Sequence, residues 1–279
     1  MLNHQTTEGL HHLKLDAMAA ALVQQQASAA HQGLSFEERL GLLVDAELTE
    51  RENRRLSRYL KSAKLRCGAV VEDIDFRRQR GVERSQVLNL AEGAWIRHHH
   101  QVAILGATGT GKTFLACALA NAAIRAGHSA LYLRFSRMLD ELAIARLDGR
   151  FARLTAAWAR VEVLVLDDFL LRPLQADQAA DTLEVIEDRS GMRSTILTSQ
   201  LPISQWHEAM GEPTVGEAIL DRICQNLHRI ELAGDSMRSR GPARSGEEQP
   251  AVTDSGEVRP GEAGSSRGAQ SPSRRGDIK

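Results

Sequence analysis

One octapeptide limits what this chain can fold into more than any other stretch: Gly106-Ala107-Thr108-Gly109-Thr110-Gly111-Lys112-Thr113. It fits G-x-x-x-x-G-K-[ST], the pattern of a loop that cradles phosphate. Gly106, Gly109 and Gly111 let the backbone turn tightly and bring its N–H groups near phosphate oxygens. Lys112 is placed to put a point charge on β- and γ-phosphates, and the Thr113 hydroxyl to ligate Mg²⁺. A helix beginning at Lys112 adds the positive end of its dipole.

Such a loop works only between a buried strand and a helix, and the flanks have that form. Gln101-Val-Ala-Ile-Leu105 precedes it as a short apolar run. Phe114 to Arg125 follows, rich in Ala and Leu and free of Gly and Pro, with Gly127 as its stop. The expectation is a nucleoside triphosphate held with Mg²⁺.

Beyond residue 125 strand and helix alternate. Residues 130–133, 161–166, 195–198 and 228–232 read as strands two to five, and residues 136–146 and about 215–227 as helices. This predicts an α/β fold with a five-stranded parallel sheet covered on both faces. The third strand runs into Asp167-Asp168, which lies 55 residues past Lys112. An apolar strand ending in two acids at the carboxyl edge is a second nucleotide signature. Asp167 is assigned to Mg²⁺ and Asp168 to the attacking water. The fourth strand runs into Ser199-Gln200. Either side chain could sense phosphate, and strand pleating lets only one point inward. Asp221-Arg222 sits on the last helix, where Arg222 could reach a neighbouring subunit's γ-phosphate. Arg238 could act similarly within the subunit.

Residues 1–66 read as a small helical domain. Ser35-Phe-Glu-Glu38 is a capping box opening a long helix to about Ala63. Leu56, Tyr59, Leu60 and Ala63 form an apolar stripe. Arg51, Arg54, Arg58 and Lys61 repeat on roughly the opposite face, and residues 51–66 hold seven basic residues against one acidic. The stripe suits either a solvated face or contact with a phosphate backbone. Arg134, Arg137, Arg146, Arg150, Arg153 and Arg160 form a second basic group, diluted by Asp140, Glu141 and Asp148. Both a nucleic-acid groove and a mixed-charge surface fit it.

Residues 67–100 read as a linker into the core, with a helix over 85–96 and a polar loop at His98-His-His100. Residues 101–240 form the core. Residues 241–279 hold seven Gly, four Pro and six Ser and no aromatic residue, so they read as a disordered tail. The net charge of −1 gives no global pull toward nucleic acid, so a DNA-binding surface must be local. Three widely spaced cysteines fit a reducing compartment, and Cys117 reads as a small core residue. No apolar run is long enough to span a bilayer. The chain reads as a cytoplasmic protein without membrane association.

Taken together these stretches resemble the IstB-like ATP-binding proteins, helper ATPases of bacterial insertion sequences within the AAA+ superclass of P-loop NTPases. Residues 14–22, Leu34-Ser-Phe-Glu-Glu-Arg-Leu40, Val71-Glu-Asp-Ile-Asp-Phe76, Ile104 to Thr113, Leu166-Asp-Asp-Phe169, Ser194 to Pro202 and Leu220-Asp-Arg-Ile223 carry the resemblance, over about residues 10–240. It implies Mg²⁺-dependent ATP hydrolysis by a homo-oligomer on duplex DNA, serving a transposase encoded alongside. It implies nucleotide ligands across residues 106–113, metal ligands at Thr113 and Asp167, and catalytic roles for Asp168, Ser199 or Gln200, and Arg222. Backbone contacts would come from Arg54, Arg58, Lys61 and Arg137. At the sensor position Ser199-Gln200 departs from the Asn common in related proteins.

A helicase loader of DNA replication shares the same core and is the nearest alternative. A small-molecule kinase would need an arginine-rich lid, and no segment closes as one. A GTPase would need an Asn-Lys-x-Asp element, and the chain has none. A DNA-binding scaffold using ATP only structurally would differ in lacking DNA-stimulated hydrolysis.

Overall fold

The computed structural model describes residues 2–234 except 32 and 78–80. Arg238 and the expected tail from 241 to 279 lie outside the described residues.

The chain opens with helices α1 (Leu2–His12), α2 (Asp16–Ala27) and α3 (Phe36–Ala63). The capping box forms as expected. Ser35 Oγ accepts the Glu38 N–H at 3.2 Å, and Glu38 Oε2 accepts the Ser35 N–H at 2.8 Å. Buried Glu47 of α3 accepts the N–H groups of Ala17 and Met18 at 3.1 and 3.2 Å, which ties the first turn of α2 to α3. Lys64 stops α3 in the left-handed conformation, φ 51°. Leu56 and Tyr59 pack onto the core while Arg54, Arg58 and Lys61 stay exposed.

The helix expected over 85–96 is broken in two: α4 (Arg84–Ala91) and α5 (Ala94–Arg97). Gly93 between them takes φ 77°, a conformation open to glycine that redirects the chain. The redirection lets Val87 and Leu90 of α4 and Trp95 and Ile96 of α5 all enter one apolar cluster.

The core follows: β1 (Gln101–Gly106), α6 (Lys112–Arg125), β2 (Ala130–Arg134), α7 (Phe135–Leu147), α8 (Phe151–Ala159), β3 (Val163–Asp167), α9 (Ala176–Glu187), β4 (Ser194–Ser199), α10 (Trp206–Ala209), α11 (Pro213–Cys224) and β5 (Leu227–Leu232). All strand pairs are parallel, in the order β2-β3-β4-β1-β5. Strand β4 is thus inserted between β3 and β1, and its tip lies beside the loop that follows β1.

Alternation along the strands sorts side chains between two apolar clusters. Val102, Ile104, Val163, Val165 and Ile196 face α3 to α6. Ala103, Leu105, Leu164, Leu166 and Leu197 face α7 to α11. Cys117 is fully buried on α6, and burial pushes its thiol up to about 12. Fully buried Arg189 donates to the carbonyls of Trp158, Val161 and Ser194, closing the opposite edge of the sheet from the loop. Among the described residues no helix is long and apolar enough to cross a membrane.

Candidate functional site

Parallel sheets open their ligand crevice at the carboxyl ends of the strands. There a cavity of about 540 Å³ is lined by residues 108–115, by Arg66, Arg134, Asp168 and Gln200, and by Asp73, Ile74, Val82, Leu171 and Leu232. Its size is that of a small-molecule site.

The loop is built by close backbone approach. Gly106 has φ 147°, and a Cβ there would stand 2.4 Å from the carbonyl oxygen of Leu232 on β5. Helix α6 starts at Lys112 with Gly111 as its cap. Lys112 is buried, and its ammonium donates to the carbonyls of Gly106 and Ala107 at 2.7 and 2.9 Å. Thr110 Oγ1 donates to the Ala107 carbonyl at 2.9 Å. Thr108, exposed at the loop's tip, donates from Oγ1 to Gln200 Oε1 at 2.7 Å.

Asp167 ends β3 with no exposed surface. Thr113 Oγ1 donates to its Oδ1 and Oδ2 at 2.8 and 3.1 Å. Thr198 Oγ1 donates to Oδ1 at 2.6 Å and Tyr132 Oη to Oδ2 at 2.6 Å. Arg66 Nη1 reaches Oδ2 at 3.3 Å. Burial first, and then the hydrogen bond to Asp167, push the Tyr132 phenol up, so it remains a donor. The Tyr132 hydroxyl first, and Asp167 with it, raise the Arg66 guanidinium.

Asp168 takes φ 60°, a left-handed conformation that costs an L-residue on the order of 1–3 kcal/mol. It is held by its N–H, which donates to Thr198 Oγ1 at 3.0 Å, and by the Phe169 N–H, which donates to the Thr198 carbonyl at 2.7 Å. The turn carries the Asp168 carboxylate away from that of Asp167 and onto Arg134, with Nε 3.4 Å from Oδ2.

The two sensor candidates separate. Ser199 is fully buried, donates to the Phe169 carbonyl at 2.8 Å and accepts the Leu201 N–H. It belongs to the wall on the α7–α11 side. Gln200 lines the cavity and touches the loop. Strand parity explains the split: Thr198 shares its face with Ile196, and Ser199 shares its face with Leu197.

Arg222 lies elsewhere within this chain. It donates to the Ala218 carbonyl at 2.9 Å and to Glu187 Oε1 at 2.8 Å, and lines a surface depression with Asp221, Cys224 and Gln225. On α3, Arg54 pairs with Glu50 at 2.7 Å and Arg58 lies 5.6 Å from the Tyr59 ring centre. Arg137 is exposed on α7. Arg146 is occupied by Asp181, Glu184 and the Phe151 ring, and Arg150 by Asp148, which favours the mixed-charge reading there. His100 meets His228 at 3.1 Å, and among the described residues no cluster suits a metal in the manner of three His, Cys, Asp or Glu ligands.

Reasoning from sequence missed Arg66, Tyr132 and Thr198 around Asp167, and the Asp73, Ile74 and Val82 wall of the cavity. A parity count along β3 and β4 would have found Thr198, since it continues the face of Val165 and Ile196. Nothing local marks Arg66 or Tyr132.

Comparisons with known proteins bear on the family and the fold. A family model for IstB-like ATP binding proteins matches residues 8–245. The insertion-sequence ATP-binding protein y4pL of Sinorhizobium fredii is 47% identical over 238 residues, covering 85% of this chain and 97% of that one. Among solved structures, that of DnaI is similar with a TM-score of 0.51 at 22% identity, covering 60% of this chain and 92% of its own. The DnaC helicase loader is similar with a TM-score of 0.50 at 18% identity, covering 63% and 99%. Those two likenesses bear on the fold alone, which is of the AAA+ P-loop type. The match over 8–245 spans α2, α3, the phosphate loop and the acidic pair, and by it the chain belongs to the IstB-like ATP-binding proteins.

Proposed function

We propose that this chain is a cytoplasmic ATPase of an insertion sequence, which binds and hydrolyses ATP, assembles as a homo-oligomer on duplex DNA and delivers that DNA to a transposase. The observation that carries the reading is that Lys112 and Thr113 line one cavity with buried Asp167 hydrogen-bonded directly behind Thr113, while Asp168 is turned aside by its left-handed backbone. The relative that is 47% identical over nearly its whole length is named for an insertion sequence, whereas the likeness to a helicase loader is at 18% identity. The insertion-sequence role is therefore the one taken forward.

ATP fits the cavity with its triphosphate on residues 106–113 and its base toward Ile74, Val82 and Leu232, whose apolar surface suits a flat ring. Lys112 would exchange its two loop carbonyls for phosphate oxygens. Thr113 and Asp167 offer hard oxygen donors within 2.8 Å of each other, a fit for Mg²⁺. When bound, Mg²⁺ supplies charge neutralisation at the β- and γ-oxygens. Asp168 takes the proton of the attacking water. Thr198 fixes where that carboxylate stands, and Gln200 senses the terminal phosphate through its contact with Thr108. Arg222 acts on the ATP of a neighbouring subunit.

DNA would lie along the exposed Arg54, Arg58 and Lys61 face of α3, with Arg137 as a further contact. Such contacts give affinity without base choice. The helical region to residue 66 would carry oligomer and transposase contacts, and residues 101–240 the ATPase.

The test is ATP turnover with and without duplex DNA, together with particle mass by light scattering in ATP, in ADP and for Lys112→Ala. DNA-stimulated turnover and ATP-dependent growth in mass are expected. The same free monomer in all three states, with no stimulation by DNA, overturns the reading.

A further inference from the structure

Arg66 is a cation without a part in the scheme above, yet it stands at its centre. It lies three residues past the last residue of α3, beyond the left-handed stop at Lys64, and lines the same cavity as the phosphate loop. Its guanidinium is 3.3 Å from Asp167, the carboxylate also held by Thr113. It is 40% exposed while Asp167 has no exposed surface. The side chain therefore comes from the mouth of the cavity and keeps room to move. Four donors already surround Asp167, three of them neutral hydroxyls at 2.6 to 2.8 Å. The arginine contact is the longest and the least confined of the set.

We propose that Arg66 binds the terminal phosphate of the nucleotide, exchanging Asp167 for that phosphate, and so makes the end of α3 responsive to triphosphate against diphosphate. The proposal rests on the reading of the cavity as an ATP site. A divalent cation entering beside Thr113 would compete with the guanidinium for one carboxylate, since like charges repel strongly in a partly buried site. A γ-phosphate in the loop offers the displaced guanidinium, itself planar and two-pronged, a partner of higher charge. A diphosphate offers no such group at the outer end of the cavity.

The consequence follows from the chain path. Ala63 is fully buried, and Leu56 and Tyr59 pack against the sheet's apolar cluster, so the carboxyl half of α3 is fixed to the core. The helix has 28 residues, about 42 Å at 1.5 Å per residue. It carries Arg54, Arg58 and Lys61 along one face and holds α2 on its amino-terminal half through Glu47. A small shift at Arg66 is applied at the base of that lever.

The experiment uses the full-length chain and a fluorescent N-methylanthraniloyl ATP and ADP pair with Mg²⁺. Affinities are measured for wild type, Arg66→Ala and Arg66→Lys, each checked for folding by thermal melt. Arg66→Ala is expected to weaken the triphosphate about tenfold and leave the diphosphate within about twofold. Arg66→Lys, which keeps charge without the fork, should fall between, and it carries the test if the alanine variant does not fold. Hydrogen exchange of residues 60–66 should slow with the triphosphate in wild type and not in Arg66→Ala. Equal loss for both nucleotides, or loss for neither, overturns the proposal while leaving the ATP site intact. A wild-type protein that binds neither nucleotide removes the ATP reading itself, and this inference with it.

Discussion

The hydroxyl of Thr198 donates to Asp167 Oδ1 at 2.6 Å and accepts the backbone N–H of Asp168 at 3.0 Å. One buried side chain thus fixes the carboxylate of the first acid and the left-handed turn of the second. Without it Asp167 keeps Thr113, Tyr132 and Arg66, but the turn at Asp168 loses its side-chain acceptor.

Thr198→Val keeps the shape and removes both bonds. Leaving a buried N–H and a carboxylate oxygen short of partners should cost about 1–3 kcal/mol of stability. Misplacing Asp168 by a fraction of an ångström should lower turnover roughly 10- to 100-fold, with nucleotide affinity nearly unchanged because the phosphate loop is untouched. Thr198→Ser should restore turnover. Steady-state hydrolysis beside fluorescent nucleotide binding checks it; loss of binding and turnover together would place Thr198 in the fold alone.

Gly106 is the position where the loop least tolerates a side chain. At φ 147° its added Cβ would meet the Leu232 carbonyl at 2.4 Å and the Leu232 Cβ at 3.0 Å. Since the neighbour is backbone of β5, relief requires parting β1 from β5. Gly106→Ala should destabilise by roughly 3 kcal/mol and abolish nucleotide binding. A melting temperature equal to that of wild type would show that the strands part freely.

How much of this could be read beforehand follows from where each signal lives. The loop, the acidic pair and the five strands are local, because apolar runs, glycines and caps act over a few residues. The single helix expected over 85–96 breaks at Gly93, whose left-handed backbone brings Trp95 and Ile96 into the core. Pleating puts one of Ser199 and Gln200 inward and the other outward, yet the strand residue that meets Asp167 is Thr198, one place earlier. Arg66 lies 101 residues from Asp167 and Tyr132 lies 35 from it. Contacts of that span leave no periodicity in a single chain, and only the closed sheet brings them together.

His228, the second residue of β5, meets His100, which stacks in turn near His98. Burial, and then the charge of His100, lower its pKa from 6.5. The unfolded chain therefore takes up this proton at a higher pH than the folded one, so stability falls as pH drops below 6.5 through the lowered value and is unaffected well above it. Glu162, which burial pushes up and His128 draws further down, keeps its contribution until pH falls below its ordinary 4.5. Melting temperature should decline between pH 7.5 and pH 5.5, and His228→Gln should flatten that slope. An unchanged slope in the variant would assign the acid sensitivity to other groups.

Arg222 is engaged within its own chain by Glu187 and the Ala218 carbonyl, at a distance from the residues lining the loop cavity. Glu187 is exposed, so the ion pair is screened and weak, and the guanidinium can leave it for a stronger anion. If it serves a neighbour's nucleotide, Arg222→Ala should bind ATP normally and hydrolyse it at least about 10³-fold more slowly. Asp168→Asn should likewise bind without turnover. Mixing the two inactive proteins should restore part of the activity, because an Arg222→Ala subunit offers an intact acid to the arginine of an Asp168→Asn neighbour. Recovered turnover in the mixture, measured against each variant alone, assigns the arginine to the adjacent subunit. No recovery despite stable mixed oligomers would confine Arg222 to its pairing with Glu187.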